Sequence, residues 1–280
     1  MKINLEVITS RNNPLVKWAA SLSDKKAREE SKSFIAEGDK LTYEALSAGV
    51  PVTHILILDS KKDYYIQKLN SIASADVYRD TVVTLLSESA FSKISTEKSP
   101  QGIISIIKYL DFFKYMDIIY KEEFVLEGDE RALALCSVRD PLNLGSVIRS
   151  AVAFGVEHLV LTSDCADVYN PKTVRCAMGS LFKVKITYVG DFSSFIRSAR
   201  EVGRRVFSAE LTDSAASLLD TPLLPTDILM IGNEGHGISS ELSAITDKSV
   251  YIPISDKTES LNASVAAAIF MWEQEKTMKK

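Results

Sequence analysis

Short apolar runs rich in Ile, Val and Leu, each bounded by turn residues, recur through the second half of the chain. They are Ala132 to Val138, His158 to Leu161, Lys183 to Val189, Arg205 to Ala209, Asp227 to Ile231 and Ser249 to Ile254. Runs of this kind predict strands buried on both faces, as in a parallel sheet. After the first run, Asp140-Pro141-Leu142-Asn143 reads as a turn, and Leu144, Val147, Ile148 and Ala151 then mark one face of a helix that Gly155 closes. Val265 to Trp272 is apolar around its whole circumference, which predicts a helix buried in its own core or against another chain.

The first half is patterned differently. Asn13 and Pro14 fit a helix start, with Leu15, Val16, Trp18, Ala19 and Leu22 at helical spacing. Phe34 to Gly38, a helix from Asp39 to Ala48 closed by Gly49, and strands at His54 to Leu58, Val77 to Val83 and Gly102 to Ile107 complete a small α/β unit over residues 1–108. Between 109 and 131, Phe112, Phe113, Tyr115 and Tyr120 alternate with charges and Glu122, Glu123 and Glu127 to Glu130 are acidic, so this stretch reads as a linker. Residues 132–280 form the second domain. No internal repeat is evident.

Composition narrows the class. The 280 residues carry a formal net charge of −4, which argues against a general nucleic-acid-coating protein but leaves room for a local basic face. Cys136, Cys165 and Cys176 show no paired spacing, so neither a disulfide framework nor a metal site is suggested, and a reduced cytoplasm is expected. No run is long enough to span a bilayer, and no signal peptide is evident, so no membrane association is expected.

Ligands of open α/β sheets sit outside the carboxyl ends of the strands, so the loops after the Asp227 and Ser249 strands place one crevice between them. The first of these loops, Gly232-Asn233-Glu234-Gly235-His236-Gly237, lets backbone approach a ligand closely. Two tight turns in an ordinary sheet would also explain the glycines; a carboxylate, Glu234, in such a loop favours a working site. Arg149 points away from the apolar face of its helix, and Lys172 and Arg175 are candidates to meet phosphate. Arg11, Lys17, Lys25, Lys26 and Arg28 make a basic helical segment that suits RNA contact or, equally, a solvated face diluted by Glu29 and Glu30.

Asp140-Pro141-Leu142-Asn143-Leu144-Gly145 through Arg149 and Phe154-Gly155, then Ile231 to Gly235, then Ile252-Pro253 followed by Glu259-Ser260-Leu261-Asn262, resemble the three motifs of the SpoU (TrmH-like) RNA 2′-O-ribose methyltransferases of the SPOUT superfamily. Ser10-Arg11-Asn12 with Phe34 to Gly38 resembles that family's amino-terminal RNA-binding domain. The resemblance implies an α/β fold: a ribosomal-protein-like domain followed by a parallel-sheet SPOUT domain with a trefoil knot. It implies S-adenosyl-L-methionine held near Gly232, Ile252 and Leu261, and no metal. It implies a ribose site built from Asn143, Arg149, Glu234, Ser260 and Asn262, and a homodimer through the knotted domain with Val265, Ile269, Phe270 and Trp272 as its apolar surface. The chain departs from the family pattern at Asp256 and Leu142, where glycine is common.

Arg149 matches the family arginine assigned to activating the hydroxyl. A guanidinium stays protonated, so holding a phosphate and stabilising alkoxide charge suits it better than acting as a base. His236 is another candidate base, against the plainer reading of an exposed loop residue. The expected activity is 2′-O-methylation of structured RNA, with rRNA preferred over tRNA on family prevalence. A non-catalytic RNA-binding relative acting in ribosome assembly is the alternative, although Asn143, Arg149 and Asn262 are all retained. A different nucleotide-binding α/β enzyme would want a glycine fingerprint that Asn143-Leu144-Gly145 does not supply.

Overall fold

A computed structural model describes residues 1–72, 78–111, 118–126, 128–233 and 235–278. The chain clusters into two compact units, Met1–Leu110 with Asp167–Phe182, and Asp111–Ala166 with Lys183–Lys280. Phe112, Phe113, Tyr115, Val77, Glu127 and Glu234 lie outside the described residues.

In the first unit, β1 (Lys2–Ile8), β2 (Ser33–Glu37), β3 (Val52–Leu58), β4 (Val82–Leu86) and β5 (Ile103–Lys108) form a mixed sheet in the order β1-β4-β3-β5-β2. β5 is buried at five consecutive positions because helices cover the sheet, which is why its Ile-rich run does not alternate. The expected Val77 to Val83 strand is displaced: the strand is β4, and Tyr78 packs instead as a buried ring whose hydroxyl donates to the Leu46 carbonyl at 2.7 Å. Helices α1 (Pro14–Ser21), α2 (Lys25–Ser31), α3 (Asp39–Ala48), α4 (Lys62–Ile72) and α5 (Glu88–Ile94) surround the sheet. Asn13 caps α1 through the Leu15 amide at 2.9 Å. Val16, Ala19 and Leu22 pack with Phe91 and Ile94 over Leu56 and Ile104.

The second unit carries an eight-stranded, all-parallel sheet. Its elements are β6 (Ile118–Lys121), β7 (Ala132–Leu135), α6 (Pro141–Ala153), β8 (His158–Thr162), β9 (Lys185–Val189), α8 (Phe192–Glu201), β10 (Val206–Ala209), β11 (Ala216–Ser217), β12 (Ile228–Ile231), α9 (Ser240–Ser243), β13 (Lys248–Tyr251) and α10 (Ala263–Met278). The helix α7 (Pro171–Ala177) interrupts this series and belongs to the first unit, where it packs on β2. The strand order is β11-β13-β10-β12-β7-β8-β9-β6, so the last strand lies between two strands that are consecutive in sequence. Leu135 pairs with Ile231, Ile231 with Ala209 and Ala209 with Val250, which aligns the carboxyl ends of four strands along one edge. β7 and β12 are buried at every position, as central parallel strands require. α10 is held by Gln274, whose buried amide nitrogen donates to the carbonyls of Leu224 and Asp227 at 2.8 and 2.9 Å. No described helix is long and apolar enough to cross a membrane.

Arg28 corrects the expected basic face. It is 1% exposed; Nη1 donates to the carbonyls of Leu22 and Ser23 at 2.9 and 2.8 Å, and Nη2 meets Asp167 at 2.7 Å. A buried guanidinium with these partners braces the fold and does not reach an RNA phosphate. Removing one member of a buried ion pair strands its partner, so Arg28→Ala is expected to destabilise the protein by roughly 3 kcal/mol, whereas the exposed Lys26→Ala changes stability by less than about 0.5 kcal/mol. Urea unfolding of both variants checks this; equal midpoints would refute the bracing role.

Candidate functional site

The loop leaving β7 is fixed at almost every peptide. The Cys136 amide donates to the Ile231 carbonyl at 2.8 Å. Ser137 then adopts φ 54, a left-handed conformation that costs a non-glycine residue roughly 1–2 kcal/mol. Its amide donates to Thr162 Oγ1, its hydroxyl donates to Asp164 Oδ2, and its carbonyl accepts from Asn233 Nδ2, each at 2.8 Å. Asp164 also receives Thr162 Oγ1 at 2.7 Å and the Arg139 guanidinium at 2.6 Å. Burial alone would raise the Asp164 carboxyl, but the hydrogen bonds from Arg139, Thr162 and Ser137 outweigh it and bring the pKa down to about 2.

Asp140 caps α6 by accepting the Leu142 amide at 2.7 Å, with Pro141 in the first turn. The helix therefore begins at Pro141, and Leu142 and Asn143, read from sequence as a turn, occupy its first turn. Arg149 is exposed, and among the described residues no hydrogen bond or ion pair engages its side chain. Six residues past Asn143, it lies about 9 Å along the helix and about 120° around it, on the side of the exposed Leu142.

In the loop after β12, Asn233 is the organiser. Its Oδ1 accepts the amides of Gly235 and His236 at 2.9 and 3.1 Å, and its backbone exchanges hydrogen bonds with Gly237 at 3.0 and 2.9 Å. A Cβ on Gly232 would stand 2.5 Å from the Gly237 carbonyl carbon, so only glycine permits this closure. His236 is exposed, and Glu234 lies outside the described residues.

The third loop, after β13, ends at Asn262. Its Oδ1 accepts the Ser264 amide at 3.0 Å and the Ser264 hydroxyl at 2.6 Å at the entrance to α10. That assignment turns Nδ2 toward Asn143, whose Oδ1 accepts it at 2.9 Å. Sites from two distant motifs thus meet in one amide pair. Ser260 and Asp256 are exposed, and Ile252 and Leu261 are half-buried. Among the described residues no side-chain hydrogen bond joins Ser260 to the pair; its carbonyl accepts from Thr258 Oγ1 at 3.3 Å.

The strand order adds residues that sequence reasoning passed over. β10 lies between β12 and β13, so residues 209–211 emerge between the second and third loops. Glu210 Oε1 gathers the hydroxyls of Ser208 and Ser249 at 2.6 and 2.8 Å, and that of Ser243, tying β10, β13 and α9 together. Leu211 beside it is 73% exposed. An acid beginning a loop after a short strand gives no sequence signal of this role.

The remaining expected cations lie in the first unit. Arg11, Lys17 and Lys172 are exposed. Lys25 and Lys26 stand 3.7 and 3.9 Å from Glu29 and Glu30, the arrangement of a solvated helix face. Arg175 is paired with Glu97 at 2.5 Å and is therefore a committed cation, unlike Lys172.

Comparisons with known proteins bear on this geometry. The model of the SpoU rRNA Methylase family matches residues 130–272, and that of the MRM3-like substrate binding domain matches residues 13–105. The chain is 31% identical over 268 residues to the 23S rRNA (guanosine(2553)-2'-O)-methyltransferase RlmP of Bacillus subtilis, covering 96% of this chain and 98% of that protein. It is 25% identical to the 23S rRNA (uridine(2479)-2'-O)-methyltransferase of Streptomyces viridochromogenes, over 95% of this chain and 90% of that one. Among solved structures, an AdoMet-bound rRNA methyltransferase from Sinorhizobium meliloti superposes with a TM-score of 0.79 at 29% identity, covering 99% of this chain and 98% of that one.

Because the nearest atoms to the Gly232 Cβ position are the Gly237 backbone, which cannot swing aside as a side chain could, Gly232→Ala is expected to open the Asn233–Gly237 turn. Amide exchange at Gly235 and His236 should rise at least about tenfold, the scale of losing a net hydrogen bond of about 1.4 kcal/mol. Unchanged exchange would show that the closure does not depend on the glycine.

Proposed function

We infer the function from one premise: the chain belongs to the SpoU rRNA methylase family. It is an RNA 2′-O-ribose methyltransferase that uses S-adenosyl-L-methionine, and its substrate is rRNA. The observation that carries this reading is the meeting of the loops after β7, β12 and β13, joined by the Asn262–Asn143 and Asn233–Ser137 hydrogen bonds. The residues suit the cofactor: half-buried Ile252 and Leu261 offer apolar contact to an adenine ring, and Gly232 brings main chain close without a side chain. When bound, S-adenosylmethionine supplies an electrophilic methyl group.

The chain's own groups align the ribose hydroxyl and manage its charge. Asn143 and Asn262 orient one another and thereby the sugar, with Ser260 and Glu234 assigned to the same task. Arg149, whose guanidinium is unengaged among the described residues, holds the phosphate beside the target ribose and stabilises the developing alkoxide. The first unit captures RNA through its exposed cations, Arg11, Lys17, Lys25, Lys26 and Lys172. Three free cysteines fit a reducing cytoplasm.

A homodimer through the second unit completes the reading. Phe270, expected on the apolar surface of α10, is 2% exposed and belongs to the core. Val265 and Trp272, 47% and 52% exposed, remain with the half-buried Ile269, and Trp272 lies 6.1 Å from the Phe154 ring at the end of α6. Apolar side chains on two adjacent helices suit a permanent interface.

Titration calorimetry should show binding of S-adenosylmethionine to the metal-free protein. Arg149→Ala should keep that affinity and lower methyl transfer to rRNA about a hundredfold, the scale of one transition-state donor. Mapping of 2′-O-methylation in cells lacking the protein should show one rRNA site lost; an unaltered map would refute the substrate. Separately, sedimentation should give a dimer at micromolar concentration and a monomer for Val265→Glu with Trp272→Glu; a monomeric wild type would exclude the interface.

A further inference from the structure

We propose that Asp164 is a positioning residue for methyl transfer, acting through Ser137 to set the shape of the Asn233–Gly237 loop; the proposal rests on the function proposed above. Asp164 follows β8 and belongs to none of the three motif loops. Its two carboxylate oxygens accept from Ser137 Oγ, Thr162 Oγ1 and both Nε and Nη2 of Arg139, at 2.8, 2.7, 3.3 and 2.6 Å. One carboxylate thus ties the loop after β7 to the loop after β8.

What it holds is a serine at φ 54, a conformation disfavoured for any residue with a Cβ. The orientation of that peptide has a consequence across the sheet edge. The Ser137 carbonyl is the acceptor for Asn233 Nδ2 at 2.8 Å, and this bond fixes which way the Asn233 amide faces. Only with Nδ2 on Ser137 does Asn233 Oδ1 receive the amides of Gly235 and His236. Relaxation of Ser137 toward negative φ would turn its peptide, remove the acceptor and free the Asn233 side chain. Asp164 touches none of the groups expected to meet cofactor or ribose, so its influence passes through Ser137. Arg139 adjoins Asp140, the cap of α6, so the same carboxylate steadies the start of the helix that carries Asn143 and Arg149.

The strained serine supplies the test. Asp164→Ala should raise the KM for S-adenosylmethionine about tenfold while kcat changes less than about twofold, the effect of losing charge-assisted hydrogen bonds in an unreacted loop. Glycine adopts positive φ without strain, so Ser137→Gly alone should stay near wild type, and adding it to Asp164→Ala should bring KM back to within about threefold of wild type. Amide exchange at Gly235 and His236 in the ligand-free protein should rise in Asp164→Ala and return in the double variant. A general loss of stability would not be repaired at Gly235 and His236 by a substitution at Ser137. Asp164→Asn, which keeps the volume and one acceptor, should fall between wild type and Asp164→Ala, and it carries the test should the alanine variant not fold. A wild-type KM and exchange in both Asp164 variants, or a double variant as impaired as Asp164→Ala, would overturn the proposal. If wild-type protein binds no S-adenosylmethionine, the functional reading fails, and the exchange measurement still decides whether Asp164 sets the loop.

Discussion

β13 enters the parallel sheet between β10 and β11, which residues 210–215 had already joined, and the carboxyl-terminal segment then runs back along α6. That insertion places β12, β10 and β13 side by side, so three loops distant in sequence leave the sheet at one edge. α10 follows this last strand and packs back against α6. It is fastened at its far end by Gln274 to two carbonyls before β12 and by Glu275 to Arg131 at 2.7 Å. At its near end Asn262 both starts the helix and reaches Asn143. A helix pinned at both ends leaves its first residue little freedom, and the amide pair inherits that rigidity.

Central strands were legible in the sequence and their order was not. β7 and β12 are buried on both faces and so consist of unbroken apolar runs. β1 escaped notice because it is an edge strand with Ile3 and Leu5 40% and 67% exposed among polar neighbours, and β11 has only two residues. Nothing in Ala209 or Val250 says that they will pair, since each strand of a parallel sheet presents the same apolar face to any partner. The motif residues Asn143, Gly232 and Asn262 were visible by resemblance, yet the bond between the two asparagines and the clash that demands Gly232 are properties of the fold. Ser137 and Asp164 are ordinary loop residues by composition; only the dihedral angle of one and the donors around the other set them apart.

Charges divide by what surrounds them, not by the pattern they make along the chain. Lys25, Lys26 and Arg28 lie within one turn of each other, but the two lysines remain in water opposite glutamates while Arg28 is enclosed. A guanidinium tolerates enclosure because its fork of donors satisfies several carbonyls at once, whereas an ammonium is more strongly hydrated. Arg204 repeats the solution in the second unit, donating to the carbonyls of Glu130 and Gly128 at 2.8 and 2.6 Å. Counting cations along a helix therefore overestimates a nucleic-acid surface wherever arginine can fold back onto backbone.

The neutral and the charged fixings at the carboxyl edge suit different tasks. Asn143 and Asn262 meet where a ribose and a sulfonium are expected, and amides there add no charge to compete with the reacting groups and lose less on desolvation than a carboxylate would. Their orientation is set by the cap of α10, so it does not titrate. Asp164 stands behind the loop after β7, partly in water, where four hydrogen bonds strengthened by its charge outweigh the cost of its partial burial. With its pKa near 2, the stabilisation it gives is complete above the usual aspartate range and is lost only as pH falls toward 2. The bonds that Asp164 makes to Ser137, Thr162 and Arg139 therefore persist unchanged across neutral pH, and the Ser137 peptide keeps its orientation toward Asn233 there.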